Sequence, residues 1–333
     1  MATYIVRRIL LMVPTLVGIT LLLFVVMQLA PGDPAAVKFG DVAGGGGMDA
    51  GAAVEDAITK FREKYRLDEP LLTQYLYWVG DMATLDFGTE FNRPNVEILD
   101  ELWRRMKVTL SITLISVFLI YLLAIPLGIM SAVKQGTTVD KATTMLLFLL
   151  YSLPTFWAGL MLIIVFGKTG LDWLPVIGLH DKDAGTMTDW QYVKDMGLHL
   201  VLPVITFTYG GLAYLSRQMR VGMLETIHQD YIRTARAKGL SERTVMYRHA
   251  LRNSVIPVIT VFASILPILI GGSLIVEVVF GIPGMGLYAF EGLLRRDYPV
   301  VMATVTMSAF MTLLGFLLSD VLYAVVDPRI SYD

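Results

Sequence analysis

Asp230-Tyr-Ile-Arg-Thr-Ala-Arg-Ala-Lys-Gly239-Leu-Ser-Glu-Arg-Thr-Val-Met-Tyr-Arg-His249-Ala-Leu-Arg-Asn253 is a basic, helix-forming stretch between two apolar runs. Connections of this kind are normally short and structureless, and this one is neither. Glu225–Lys238 holds good helix formers. Gly239 can take the left-handed conformation that ends a helix. Ser241 then offers an N-cap for a second helix over Glu242–Leu251. Two short helices joined by a tight turn make a compact knob. Ala235 and Ala237 keep its surface low, while Arg233, Arg236, Lys238, Arg243 and Arg248 surround it with charge. Two readings stand: a docking element, or a loop made basic only because inner loops of membrane proteins collect Lys and Arg.

The apolar runs around it set the class. At 333 residues, 55% hydrophobic and 17% charged, with a mean hydropathy of +0.62, the chain is too apolar for an ordinary soluble domain. Its net charge of -2 says nothing about nucleic acid, and no Lys/Arg-rich tract suggests a phosphate-binding surface, so no nucleic-acid partner is expected. It has no cysteine, which excludes disulfide frameworks, thiolate metal sites and cysteine nucleophiles. Six windows approach or exceed the roughly 20 residues that cross a bilayer core. They are Ile9–Ala30, Val108–Val133, Ala142–Gly167, Leu198–Leu215, Val255–Phe280 and Val300–Val326. The fourth is the weakest, interrupted by Pro203, Gly210 and Gly211. The first follows Arg7-Arg8 but exceeds a signal peptide's apolar core of about 7–15 residues, so it reads as an uncleaved span.

The expected fold is therefore an all-α polytopic membrane protein with six transmembrane helices. Residues 1–30 form the first helix, 31–107 a large extracytoplasmic segment, and 108–333 the core, with a cytoplasmic loop at 217–254. Orientation follows from the short connections. Arg7, Arg8, Lys134, Lys141, the eight basic residues from Arg217 to Arg252, and Arg329 fall on one side. Only Lys168, Lys182, Lys194, Arg295 and Arg296 fall on the other. Both termini are expected in the cytoplasm. In the 31–107 segment, Pro31-Gly32-Asp33-Pro34 stops the first helix and Gly44–Gly47 reads as a flexible excursion. Val54, Ile58, Phe61 and Tyr65, then Leu72, Tyr75, Leu76 and Val79, fall at helical spacing on either side of Asp68-Glu69-Pro70.

The Asp230–Asn253 stretch resembles the coupling loop of permease subunits in binding-protein-dependent ABC importers, whose general pattern is Glu-Ala-Ala-x3-Gly, nine residues, then Ile-x-Leu-Pro. Anchored on Gly239, Arg233-Thr234-Ala235 occupies the first triplet and His249-Ala250-Leu251-Arg252 the last; only Ala235, Gly239 and Leu251 match. The form Tyr-x-Arg-Thr-Ala-Arg-Ala-Lys-Gly with a later His-Ala-Leu-Arg-Asn is similar to the B-type permease of the dipeptide/oligopeptide branch. The resemblance extends through Leu67-Asp68-Glu69-Pro70, Asp86-Phe87-Gly88-Thr89, Pro126-Leu127-Gly128, Ser152-Leu153-Pro154-Thr155-Phe156, Glu277–Gly286 and Asp327-Pro328-Arg329. It implies one half of a solute pathway in the plasma (inner) membrane. The other half is a homologous second permease, with two ATPase subunits below and an extracytoplasmic solute-binding protein above. It places ATP and Mg on those partners, leaving this chain with no cofactor, and it makes Arg233–Gly239, His249 and Leu251 the ATPase contact. Nickel chelates and glycosides are alternative solutes in the same family. A secondary transporter or channel is the alternative outside it, and would lean on midplane ion sites that are sparse here.

Ionisable residues within spans are few, and each is a candidate because burial in lipid is costly. Glu277 reads either as a carboxylate reaching outer water or as part of an outer gate. Asp320 reads as a helix-end residue paired with Arg329. The turn Gly281-Ile282-Pro283-Gly284-Met285-Gly286 is a tight reversal in which Ile282 and Met285 are expected to stand out as apolar tips. The resemblance implies that this turn reaches into the binding protein; the alternative is a turn packed against the 31–107 segment. Enzymatic readings find no support: there is no Gly-x4-Gly-Lys-Ser/Thr loop and no Gly-x-Ser-x-Gly. His180, His199, His228 and His249 lie apart without a metal-ligand spacing such as His-Glu-x2-His, so neither catalytic nor metal residues are expected.

A single cysteine introduced at Gly46 should be labelled from outside the cell, and a reporter fused after Asp333 should be cytoplasmic. Labelling of Gly46 only after permeabilisation reverses the orientation.

Overall fold

The computed structural model describes residues 2–29, 35, 38–39, 48–181, 183–255, 258–259, 261 and 273–326. Among them there is no β-strand, only an isolated bridge between Thr89 and Glu97. The helices are α1 (Ala2–Leu29), α2 (Met48–Lys64), α3 (Leu71–Ala83), α4 (Ile98–Val133), α5 (Thr138–Ser152), α6 (Thr155–Phe166), α7 (Asp189–Ile227), α8 (Asp230–Ala237), α9 (Glu242–Thr244), α10 (Leu251–Ser254), α11 (Leu274–Phe280), α12 (Met285–Leu294) and α13 (Tyr298–Val326). Four of them are long and apolar enough to cross a bilayer, over Tyr4–Leu29, Ile98–Val133, Asp189–Ile227 and Tyr298–Val321. The expected span Val255–Phe280 falls largely outside the described residues, as do Pro31–Pro34, Gly44–Gly47 and the Asp327–Arg329 end with its pairing to Asp320.

The chain divides into two compact units. The first is Met1–Met106 with Leu287–Leu313. Both helical runs expected within residues 31–107 are helices, α2 and α3. Their inner faces are partly different from the expected ones. Tyr75 is buried against Phe24 and Met27 of α1, whereas Leu72 and Leu76 are 69% and 61% exposed. The hydroxyl of Tyr75 lies 3.1 Å from that of Thr20, also buried, and this pairing fixes which side of α3 turns inward. Phe61, Tyr65 and Phe91 form a second core with ring centroids 4.3–4.8 Å apart, the range in which tilted aromatic pairs attract. Asp297 accepts from the Asn92 backbone N–H at 3.1 Å and from its side chain at 3.3 Å. Burial pushes the Asp297 carboxyl above the usual carboxylate range, against the pull of those donors.

The second unit is Lys107–Gly286 with Leu314–Asp333. Here the window read at Ala142–Gly167 is two helices: α5 and α6 meet at 98°. Pro154 is the cause, because proline disfavours helical backbone in the residue before it, and Leu153 is extended at φ -78, ψ 127. Its freed carbonyl accepts from the Tyr209 hydroxyl at 2.8 Å. The weakest window behaves in the opposite way. Pro203, Gly210 and Gly211 sit inside α7, an unbroken helix of 39 residues. A Cβ at Gly211 would lie 2.5 Å from Ile120 Cδ1, and one at Gly128 would lie 2.6 Å from Met219 Cβ. Gly211 of α7 and Gly128 of α4 therefore let the two helices approach closely, as small residues do in membrane bundles.

One polar junction holds three helices of this unit. Asp140 of α5 is 4% exposed and accepts from Arg220 Nε and Nη2 of α7, both at 3.0 Å. It also accepts from Ser131 Oγ of α4 and from the Gly136 N–H at 3.0 Å. Breaking a buried pair strands a charge, at a cost of about 3–5 kcal/mol. Arg220→Met should therefore lower unfolding stability in detergent by about that amount. Asp140→Asn with Arg220→Met should recover part of the loss. Tryptophan fluorescence on heating reads both, and a loss below about 1 kcal/mol for Arg220→Met marks the pair as solvent-screened.

Candidate functional site

The knob begins where α7 ends. Leu215, Met219 and Met223 on the last turns of α7 are buried in one apolar cluster with Ile120, Ala124, Ile129 and Ala132 of α4. Ile232 and Ala235, three apart on α8 and so on one face, enter the same cluster at 0% and 6% exposure. Helix α8 ends in a two-bond cap: the Leu240 N–H donates to the Ala235 carbonyl at 3.4 Å and the Gly239 N–H to the Arg236 carbonyl at 2.9 Å. Such a cap needs a left-handed residue, and Gly239 supplies it at φ +78 with open space around its Cα.

Ser241 caps the second helix, its Oγ accepting from the Thr244 N–H. That helix is not the uniform one expected over Glu242–Leu251. It runs through α9, a π-helical stretch at Val245–Ala250, and α10. In a π-helix residues five apart bond and share a face, so Val245 and Ala250 point inward together at 0% exposure, with Met246 beside them. The two helices are also joined by Arg236 Nε donating to Glu242 Oε1 at 2.8 Å and by Asn253 Nδ2 donating to the Tyr231 hydroxyl at 2.8 Å.

Of the residues assigned to coupling, Arg233, Thr234, Arg236, Ala237, Lys238 and Gly239 are exposed, and His249 and Leu251 are half-buried. Ala235 departs from its expected role. It keeps α8 close to its own bundle instead of lowering the outer surface, because its side chain faces Ile232's partners. The exposed face also carries Tyr231, Leu240 and Tyr247, which sequence reasoning missed. Their positions follow once Ile232 and Ala235 are known to face inward. The outer face is thus cationic with apolar tips, a composition suited to a protein partner.

The turn after α11 differs from its expectation. Ile282 is fully buried and Met285 is 2% exposed, so neither stands out as an apolar tip. Helix α11 ends in the same two-bond cap, with the Ile282 N–H donating to the Glu277 carbonyl at 2.8 Å and Gly281 at φ +60. That reversal drives Ile282 back into a cluster with Phe280, Val276, Leu200, Leu202 and Ile112. Glu277 is 3% exposed and accepts from the Thr109 hydroxyl at 2.8 Å, while Thr109 Oγ1 accepts from the Met285 N–H at 2.9 Å. A Cβ at Gly284 would lie 2.3 Å from the Glu277 carboxyl carbon. The carboxylate therefore rests against bare backbone at the first turn of α12, where a helix end favours negative charge. Thr109 gave no signal in sequence, being one hydroxyl in an apolar span.

Residues 124–332 match the family described as binding-protein-dependent transport system inner membrane component. An oligopeptide transport system permease protein of Bacillus subtilis is 40% identical, over 100% of both chains. A dipeptide transport system permease protein of Alkalihalophilus pseudofirmus is 35% identical, again over 100% of both. A peptidoglycan transport system permease protein of Agrobacterium fabrum is 33% identical over 100% of this chain and 99% of that one.

Ile282→Asp should lower thermal stability by roughly 2–4 kcal/mol, since it buries a carboxylate among apolar side chains. Ile282→Leu should cost under about 1.5 kcal/mol. Equal melting of Ile282→Asp and the parent would place this side chain at the surface.

Proposed function

Because this chain belongs to the family of binding-protein-dependent transport system inner membrane components, we propose that it is the transmembrane permease subunit of an ATP-driven importer of dipeptides or oligopeptides. It crosses the inner membrane six times with both termini in the cytoplasm, and it forms half of the pathway. A homologous second permease forms the other half. ATP and Mg2+ bind on two separate ATPase subunits, and a solute-binding protein delivers peptide from outside. This chain carries out no bond chemistry.

The observation that carries the reading is the construction of the knob. Its outer face is charged and open, while its inner face is continuous with the core of α4 and α7. A pull on Arg233, Arg236 or Lys238 therefore reaches the spans through packed side chains. Rigid-body movement of packed helices is an established route for alternating access. The peptide assignment is supported by the names of the relatives, which transport oligopeptides and dipeptides.

The test is uptake of labelled di- to pentapeptides by proteoliposomes holding this chain and its partners, with ATP hydrolysis measured in parallel. Gly239→Val should reduce both together, because a β-branched residue is strained at positive φ. Gly239→Asn should retain more of both, since asparagine tolerates that conformation. Arg236→Glu should also reduce both by setting a like charge beside Glu242. Wild-type rates in all three variants would remove the knob from the coupling path. Peptide-independent uptake of another solute would remove the peptide.

A further inference from the structure

Beside the transport reading, and independent of it, one cluster in the second unit gathers two of the chain's four histidines, His180 and His199. We propose that His199, Asp195 and Asp181 bind one divalent transition-metal ion of the zinc class, with His180 as the adjoining fourth donor. One ligand atom from each of Asp181, Asp195 and His199 lies within 4.8 Å of the other two.

The protons of His199 are fixed by its neighbours. Its side chain is 2% exposed, and its Nδ1 lies 2.9 Å from the Asp195 backbone carbonyl. A carbonyl oxygen only accepts, so Nδ1 carries the hydrogen. In the neutral ring Nε2 is then a bare lone pair, and it faces Asp181 Oδ1 at 3.8 Å. A lone pair and a carboxylate oxygen repel unless a cation lies between them. Metal-bound histidines characteristically donate their other N–H to a carbonyl or carboxylate in this way, which fixes the tautomer. Zinc bonds of about 2.0–2.2 Å to nitrogen and oxygen imply a separation of about 3.4 Å between donors in a tetrahedral site. Asp181 is 69% exposed and has the freedom to close from 3.8 Å.

A second unsatisfied nitrogen lies beside Asp195. His180 Nδ1 is buried and makes no hydrogen bond, although Asp195 Oδ2 is only 3.3 Å away. Its ring is held by stacking on Tyr192 at 4.0 Å. Asp195 Oδ2 also accepts from the Asp181 N–H at 3.0 Å, which orients the carboxylate toward the cluster. Asp195 and His199 are four residues apart on one face of α7, and the chain before α7 folds back to bring His180 and Asp181 to them. Two imidazoles with two carboxylates suit zinc, whereas calcium and magnesium sites are built from oxygen alone. The ion ties the loop carrying His180 and Asp181 to α7.

The experiment uses the full chain in lipid nanodiscs, purified without a polyhistidine tag and stripped with a chelator. Zinc is added in competition with a chromophoric chelator and counted by elemental mass spectrometry. One zinc per chain is expected, and cobalt in its place should give the visible absorption of a four-coordinate site. Asp181→Asn alters an exposed side chain and should weaken binding about 10- to 100-fold without unfolding the protein. His199→Gln should weaken it on the order of 100-fold or more. His228→Gln should leave it unchanged. The proposal is overturned by a parent protein without stoichiometric zinc, or by an Asp181→Asn variant that binds as tightly as the parent. It is equally overturned if the cluster responds only to acid, with melting raised by acidification and indifferent to zinc, since a proton then occupies the place assigned to the metal.

Discussion

Ile232 and Ala235 are sealed into the core of α4 and α7, and this contact constrains everything around it. It fixes the rotation of α8, so the charged side must face outward. It requires a small residue at position 235, because the helix axes could not approach otherwise. It also decides where the chain must reverse, one turn later at Gly239. The π-helical stretch answers the same demand from the other strand of the knob. Val245, Met246 and Ala250 have to reach one apolar surface, and an α-helical spacing would turn Ala250 away from it.

Much of this was legible in the sequence, for definite reasons. Gly239 and Ser241 sit at positions where only a few residue types satisfy a helix end, so the boundary between the two short helices can be read from chemistry. The long apolar helices are legible because a bilayer imposes length and composition together. The 98° bend was not. Pro154 marks a place where a helix can break, but Pro203 and Pro126 lie within continuous helices. What separates them is tertiary: the Tyr209 hydroxyl takes the carbonyl that the break at Leu153 exposes.

The turn after Phe280 shows the same limit. Its glycines and proline announce a reversal, and the reversal is there. The direction in which Ile282 points depends on the hand of that reversal and on a cluster that includes Leu200, Leu202 and Ile112, 80 or more positions earlier, which no local pattern records. Glu277 belongs to this class too. Its partner Thr109 is 168 residues away, and its accommodation rests on the missing side chain of Gly284. The spacing of the histidines along the chain gives no hint of a cluster, yet a fold-back before α7 brings His180 onto Tyr192 and beside Asp195, four residues before His199.

The capped, ion-paired and core-anchored knob has a consequence for the thermodynamics of assembly. Its backbone has already lost its conformational freedom when the permease folds. A partner that engages it has only surface side chains left to immobilise, at about 0.5–1.5 kcal/mol each, instead of a whole loop to order. Such an interface can be modest in area and still persist through repeated cycles of movement. Its lifetime would be governed by a few anchors, of which the exposed rings of Tyr231 and Tyr247 are the best suited by size and rigidity.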